Sequence, residues 1–409
     1  MKYFKLFSNA KFDFDKKGGC VINLFDYSRI NLDSCQAEKM MDLIKCPMED
    51  FELLGEVEKS LALKLMNKGM GYLYENNIVN EEYLDNKGIE VRGLSENVPF
   101  FEEIYIQAST QCNGNCDFCK NNSNLIYGGC NSCICWKNNN EEKVILETTK
   151  MNEIMTRITK LFVKTIIFSG GNPFINWIEI KESIQLIRKN MKDVTIKIIT
   201  NGSFVNDEIL AFCVKSGVKL VFTILGHDEM SYIRITGNKN IYLDLINAVN
   251  SCIDKNVEYE TNILAKSSDL EKIINFINMH KWNITSISEI YETNIPFKSI
   301  KSFDERINSN PSNLRKNQKF NTCLNNKLAI NLYGSMQPCP MIEDKLVDLT
   351  IDDISKPFQT LLIDKYWRMT KQQVSSCSGC PYRFSCDDCT VIELAINSEK
   401  LNAEYICSR

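Results

Sequence analysis

Cys112, Cys116 and Cys119 stand in the run QCNGNCDFCK, separated by three residues and then by two. Cysteine thiolates are the protein's ligands for iron–sulfur clusters, and a cubane that only passes electrons takes four of them. Three thiolates hold three irons and leave the fourth open to a substrate or cofactor. The same residues could instead form a structural zinc knuckle, which needs a fourth ligand nearby, or lie as plain cysteines in a core. The chain has only two histidines, His227 and His280, to supply a nitrogen ligand.

A second concentration of thiols lies at the carboxyl end. Cys323 is followed by Gly334, then four residues, then Cys339 in GSMQPC. CSGCPYRFSCDDC places Cys377, Cys380, Cys386 and Cys389 with two, five and two residues between them, and Cys407 stands close to the terminus. Eighteen cysteines would mark a disulfide scaffold in a short secreted chain, but clustered in 409 residues they point to metal. Iron–sulfur sites and a pair of zinc sites both suit the spacing. Cys130, Cys133 and Cys135 crowd together in GGCNSCICW. Three uses are open for them: ligands of an extra metal site, redox-active thiols near a substrate, or structural residues sequestered from solvent. Cys213 beside Phe212, and Cys252 in register with Ile241, Leu245 and Ala248, read as core residues. Cys20, Cys35 and Cys46 show no ligand spacing. His227, in a strand-end turn, suits either catalysis or structural hydrogen bonding.

The C-x3-C-x2-C spacing resembles the signature of radical S-adenosylmethionine (SAM) enzymes, and the resemblance spans residues 100–409. It implies a 4Fe–4S cluster whose open iron is chelated by SAM. Phe118, just before Cys119, matches the aromatic position that packs on the adenine. Ser169-Gly170-Gly171-Asn172-Pro173 resembles the family's GGEP turn, in which glycines allow close backbone approach and carbonyls accept the SAM ammonium. Asn172 replaces the usual acid. The resemblance also puts Thr200-Asn201-Gly202 at the ribose, the Thr223 hydroxyl toward SAM, and Leu225 where an Asp is common. Arg234 becomes the partner of the methionine carboxylate, a role suited to a guanidinium fork.

The carboxyl-terminal cysteines resemble the SPASM domain, a twin-cluster extension, although the family's C-x3-C ending is here C-x2-C at Cys386 and Cys389. By that resemblance Cys377, Cys380, Cys386 and Cys407 hold an outer auxiliary 4Fe–4S cluster, and Cys323, Cys339 and Cys389 an inner one. The fourth place on the inner cluster is then either taken by an oxygen of Asp387 or Asp388, or open to a substrate thiolate.

Elements that would position these residues are legible between residues 100 and 300. EEIYIQAST, KTIIFSGG, VTIKIITNG, VKLVFTILG, EYETNILAK and ITSISEIYE alternate with stretches of helical periodicity. Near-continuous apolar strands alternating with helices indicate a parallel sheet covered on both faces. Six such units make an α/β fold, a partial (β/α)6 barrel whose ligands sit at the carboxyl ends of the strands. The first ~95 residues form a small α+β domain. Two strands (KYFKLFSNAKFDFD and GCVINLFDYSRINL) flank a turn at Asp15–Gly19, a helix carries Ala37, Met40, Met41 and Ile44 on one face, and a longer helix runs from Met48 to about Asn76. Its order and length resemble the winged-helix leader-binding module of peptide-modifying enzymes, which captures peptide by strand addition. A cap on the barrel is the other reading. The cysteine-rich SPASM segment starts near Asn313 and runs to residue 409.

The net charge of −4 offers no basic excess for nucleic acid, and no apolar run reaches membrane-spanning length. The start of the chain is interrupted by charge every few residues, unlike a signal peptide or anchor, so a cytoplasmic location is expected. Taken together, the resemblance implies a radical SAM maturase that acts on a ribosomally synthesised precursor peptide (a RiPP), by thioether cross-linking. Flavodoxin or ferredoxin would supply the electrons. Formylglycine formation in a sulfatase, peptide epimerisation and carbon–carbon cross-linking are alternatives, and a non-catalytic iron–sulfur protein that binds peptide or relays electrons is a rival of another class.

Overall fold

The computed structural model describes residues 2–7, 10–15, 18–23, 29–45, 50–74, 100–116, 118–119, 124–136, 148–159, 161–293, 316–348, 359–374, 377–378, 383–384, 386 and 389–400. The chain divides into two compact units, Met1–Phe100 with Pro311–Lys316, and Phe101–Asn310 with Asn317–Arg409.

In the first unit, β2 (Ala10–Asp15), β3 (Gly18–Asn23) and β4 (Arg29–Leu32) form an antiparallel sheet, while β1 (Tyr3–Leu6) pairs with β5 (Gly71–Tyr74). Helix α1 (Ser34–Lys45) turns Ala37, Met40 and Leu43 onto one face. They share a core with Val21, Ile30 and Leu32 and with Leu61 and Leu65 of α2 (Glu56–Asn67). Two expectations are corrected here. Each long strand run divides in two, the first at a turn where Ala10 N–H donates to the Phe7 carbonyl. The long helix is a 3-10 turn (Phe51–Leu53) followed by α2 alone. Gly69, at φ +64°, carries the chain out of the helix, and Tyr72–Tyr74 then pair with β1.

The second unit holds one open sheet in the order β15-β14-β13-β6-β8-β9-β10-β11-β12-β7. Its strands are β6 (Phe100–Gln107), β7 (Leu125–Tyr127), β8 (Phe162–Ser169), β9 (Thr195–Thr200), β10 (Val218–Ile224), β11 (Tyr259–Ala265), β12 (Ile284–Glu292), β13 (Lys327–Ile330), β14 (Ser335–Gln337) and β15 (Val347–Asp348). The six expected strands are β6 and β8 to β12, and β8 through β12 pair in parallel. Helices α3 (Thr148–Ile158), α4 (Trp177–Asn190), α5 (Asp207–Ser216), α6 (Glu229–Thr236), α7 (Asn240–Asp254) and α8 (Ser267–Met279) fill the connections. Burial explains the near-continuous apolar strands: Ile196, Ile198, Leu220 and Phe222 are inaccessible, as are Ile184 of α4 and Leu245 of α7. Cys213 and Cys252 are core residues as expected, and burial pushes both thiols up to about 12.

The cysteine-rich end joins the same sheet. β13 lies parallel to β6 with Lys327 opposite Glu103, and β14 and β15 extend it antiparallel. At the far edge, β7 pairs antiparallel with β12, so the segment after β6 passes from one side of the parallel sheet to the other. A π-helical segment (Gln359–Trp367) buries Trp367 against Phe101, and α9 (Thr390–Asn397) ends the described chain. Among the described residues no helix is long and apolar enough to cross a membrane.

Candidate active site

The loops at the carboxyl ends of β6, β8, β9 and β10 meet, and glycine lets two of them touch. Gly171 has φ +58°, and a Cβ there would fall 2.1 Å from the Gln111 carbonyl oxygen. That oxygen also accepts the Asn172 N–H at 2.7 Å. The glycine turn after β8 is therefore packed directly onto the backbone that precedes Cys112, and the close approach that needs glycine is protein against protein. Pro173 opens a 3-10 turn capped by the Asn172 side chain, which accepts the Phe174 N–H at 3.2 Å.

Asn172 is fully buried and uses its whole amide. Its Nδ2 donates to Asn201 Oδ1 at 2.9 Å and to the Ser203 carbonyl at 3.1 Å, and its Oδ1 accepts the Thr200 hydroxyl. An acid here would offer no donor to either oxygen. Asn201 passes the network on, donating to Asn113 Oδ1 at 3.0 Å and to Cys112 Sγ at 3.7 Å. Gly114 N–H donates to the same sulfur at 3.3 Å. Asn113 Nδ2 reaches Ser203 Oγ, which donates to Asp244 of α7 at 2.6 Å. From the other side, Asn115 N–H donates to the Thr236 carbonyl at the end of α6, and Asn238 Nδ2 to the Asn113 carbonyl. The cysteine loop is thus fixed by hydrogen bonds with the turns after β8, β9 and α6, and Asp244 of α7 in turn holds Ser203.

Within that frame the three thiols share one spot. Cys116 and Cys119 are hydrogen-bonded to each other, and Cys112 lies within electrostatic reach of both. The shared hydrogen bond and burial hold the Cys119 thiol well above its ordinary value, and burial raises Cys112. Among the described residues no three His, Cys, Asp or Glu side chains are gathered as a group that could hold a metal ion. Three neighbouring thiols with N–H donors aimed at one of them suit a cluster, whose sulfurs are tuned by such hydrogen bonds.

The remaining residues expected at this site are placed as follows. Phe118 is half-buried, and its carbonyl accepts the Tyr127 hydroxyl at 2.7 Å. Thr200 is buried, and its Oγ1 accepts the Gly202 N–H. The Thr223 hydroxyl accepts the Cys133 N–H at 2.7 Å and so anchors the Cys130–Cys135 loop. Arg234 is exposed on α6 within reach of Asp228. His227 Nε2 lies 3.3 Å from Asp228 Oδ2.

The crowded thiols after the first triplet part company. Cys133 lies within electrostatic reach of Cys112, Cys116 and Cys119. Cys135 is buried beside the Ser169 hydroxyl, and burial pushes it up to about 12. Cys130 is hydrogen-bonded to Tyr105.

In the carboxyl-terminal set, Asn321 organises two expected ligands. Its Oδ1 accepts the Cys323 N–H at 2.8 Å and the Thr390 hydroxyl at 2.9 Å, next to Cys389. The Cys323 and Cys389 thiols are hydrogen-bonded, which lowers Cys323 and raises Cys389. Cys339 Sγ accepts the Met341 N–H at 3.2 Å. Cys386 lies 3.7 Å from the Lys371 ammonium, itself paired with Glu393 at 2.6 Å with both side chains buried. Cys377 is half-buried, while Cys380, Cys407, Asp387 and Asp388 lie outside the described residues. Asn113, Ser203, Asp244 and Asn321 were missed as site residues. Polar side chains carry no spacing signal when their partners come from other strand ends.

Residues 106–277, from β6 into α8, match the family model described as the Radical SAM superfamily. The chain carries a radical SAM domain. Such a domain implies SAM and one 4Fe–4S cluster, and Cys112, Cys116 and Cys119 are the thiols of this site that could hold it. The whole chain is similar in fold to Streptococcus suis SuiB bound to the precursor peptide SuiA, with TM-score 0.54 and 16% identity over 100% of this chain and 99% of that one. SuiB bound to S-adenosylmethionine gives TM-score 0.51 and 16% identity, over 100% and 98%. Native anSMEcpe with bound AdoMet gives 0.54 at 12% identity, over 75% of this chain and 92% of that one. No curated protein matches. The similarity in fold to SuiB runs over the whole of this chain.

Proposed function

We propose that the chain is a SPASM-type radical SAM maturase that modifies a ribosomally made precursor peptide by joining a cysteine sulfur to a nearby carbon as a thioether. The observation that carries this reading is the pairing of two thiol sets in one unit. A three-cysteine loop at the strand ends suits an open-site cluster, and a carboxyl-terminal set around Cys323, Cys339 and Cys389 suits an auxiliary one. Similarity over the full chain to a structure solved with a precursor peptide supports a peptide substrate.

With its cluster and SAM bound, a radical SAM site supplies a carbon-centred adenosyl radical that takes a hydrogen atom from the substrate. This chain's residues bind and orient. Gly170 and Gly171 bring carbonyls to the turn where the SAM ammonium would sit, Phe118 would face the adenine, Asn201 the ribose and Arg234 the carboxylate. Asn172 keeps the turn fixed against β9. Cys377, Cys380, Cys386 and Cys407 would hold the outer auxiliary cluster, so that the surplus electron leaves through the two auxiliary clusters, while flavodoxin or ferredoxin would supply the electron that reduces the first cluster. Residues 1 to about 95 would bind the leader by adding its strand to an exposed sheet edge.

The test begins with a search of the neighbouring reading frames for a short cysteine-bearing peptide and continues with co-expression of that peptide and mass spectrometry. A product lighter by two hydrogen atoms, with its cysteine no longer alkylatable, is expected. A product of unchanged mass with inverted stereochemistry would assign epimerisation instead. Loss of two hydrogens with the thiol intact would assign carbon–carbon linkage.

A further inference from the structure

Cys130 leaves its sequence neighbours and joins the carboxyl-terminal thiols. The two glycines before it show how closely. A Cβ on Gly128 would fall 2.6 Å from Cys389 Cβ and 2.9 Å from its Sγ, so the loop backbone lies directly on Cys389. Gly129 N–H donates to Met341 Sδ at 3.4 Å, and Met341 N–H in turn donates to Cys339 Sγ at 3.2 Å. The next residue is Cys130. Its side chain meets the Tyr105 hydroxyl on β6 and lies within electrostatic reach of Cys323, Cys339 and Cys389. Asn131 pins the loop on both sides, accepting from Tyr105 at 3.1 Å and from Asn262 Nδ2 at 2.6 Å. The loop thus brings Cys130 to the neighbourhood of the three cysteines that the carboxyl-terminal spacing supplies. Lys327, 3.0 Å from Glu103, stands beside them with a positive charge suited to an anionic cluster.

We infer that Cys130, from the loop between β6 and β7, is the fourth thiolate of the inner auxiliary cluster, completing it with Cys323, Cys339 and Cys389. The inference rests on the auxiliary-cluster reading above. Each thiol gives its proton to solvent as it ligates an iron, and this ligation step itself exchanges no electron. Two consequences follow. A cluster closed by four thiolates transfers electrons and presents no iron to a substrate sulfur, so thioether formation takes place away from it. Neither Asp387 nor Asp388 is needed as a ligand.

The test uses the full chain with Cys112, Cys116 and Cys119 all changed to Ala, which removes the one cluster expected to have an open iron. After anaerobic reconstitution this background should hold about eight irons as two closed cubanes, silent to added free cysteine by Mössbauer and EPR spectroscopy. Adding Cys130→Ala should release about one iron on mild oxidation, leaving a 3Fe–4S EPR signal, and make one iron site respond to added cysteine. Cys130→Ser, which preserves shape, should shift the Mössbauer parameters of one iron, and guards against a folding defect in the Ala variant. Cys35→Ala, in the other unit, should change nothing. An iron count and spectra unaltered by either Cys130 change would overturn the inference and leave the auxiliary clusters standing. A background that binds no iron would overturn the auxiliary reading and this inference with it.

Discussion

Asn172 donates its side-chain amide to Asn201 Oδ1 at 2.9 Å, and Asn201 donates onward to Cys112 Sγ. The glycine turn is thereby coupled to the Cys112 sulfur through two amides. Asn172→Asp, which restores the acid common at this position in the family, puts a buried carboxylate against two oxygens that now accept hydrogen bonds. A loss of about 1–3 kcal/mol in chemical denaturation is expected, more than for an exposed Asn-to-Asp change. Reductive SAM cleavage should fall with it, because the same amide positions the loop. An Asp variant as stable and active as the parent would show that the network does not support the cluster.

Removing the first thiol set tests the radical generator. Cys112→Ala, Cys116→Ala and Cys119→Ala together should remove about four irons and abolish SAM cleavage, with the auxiliary iron retained. Stoichiometric zinc instead of iron after strictly anaerobic purification would sink the whole reading.

Cys133 lies within electrostatic reach of all three of those thiols. If it ligated, the first cluster would be closed and the chain would relay electrons, which is the non-catalytic rival. Its N–H is held by Thr223, and on the maturase reading its thiol serves as part of the pocket wall. Cys133→Ala should therefore keep the iron content and the binding of SAM to the cluster, read by the change in EPR signal on SAM addition. Loss of about one iron together with new SAM binding would assign the rival instead.

What the sequence disclosed and what it hid divide along physical lines. The strands at the middle of the parallel sheet were legible because they are buried, short and rich in apolar residues, as in Ile196–Ile199 and Leu220–Ile224. The triplet was legible because its ligands are close in sequence. The inferred fourth inner thiol was not: Cys130 is far from Cys323 along the chain, and the β13–β6 pairing and the packing of Gly128 on Cys389 bring the segments together. Asn172 read as an acid lost, yet its partners on the β9 loop require a donor. In the first unit, α2 and β5 merged into one helical pattern, since Leu61, Leu65 and Leu73 all contact one core and only Gly69 marks the break.

Lys371 offers a test of the carboxyl-terminal site that does not depend on turnover. Its ammonium is paired with Glu393 at 2.6 Å, with both side chains at most 4% exposed, and lies 3.7 Å from Cys386 Sγ. Lys371→Met keeps the length and removes the charge, leaving the Glu393 carboxylate buried without its cation. Breaking such a pair costs roughly 3–5 kcal/mol, whereas removing both charges together costs far less. The single variant should therefore unfold at markedly lower denaturant, and Lys371→Met with Glu393→Gln should recover most of the loss. The sulfur contact adds a second readout. A cation beside a cluster thiolate favours the reduced, more negative state, so on the auxiliary-cluster reading the outer cluster's midpoint potential should be more negative in the double variant than in Glu393→Gln alone, which differs from it only at Lys371. A potential that stays fixed while stability recovers would confine Lys371 to holding α9 in place, with no influence on the metal site.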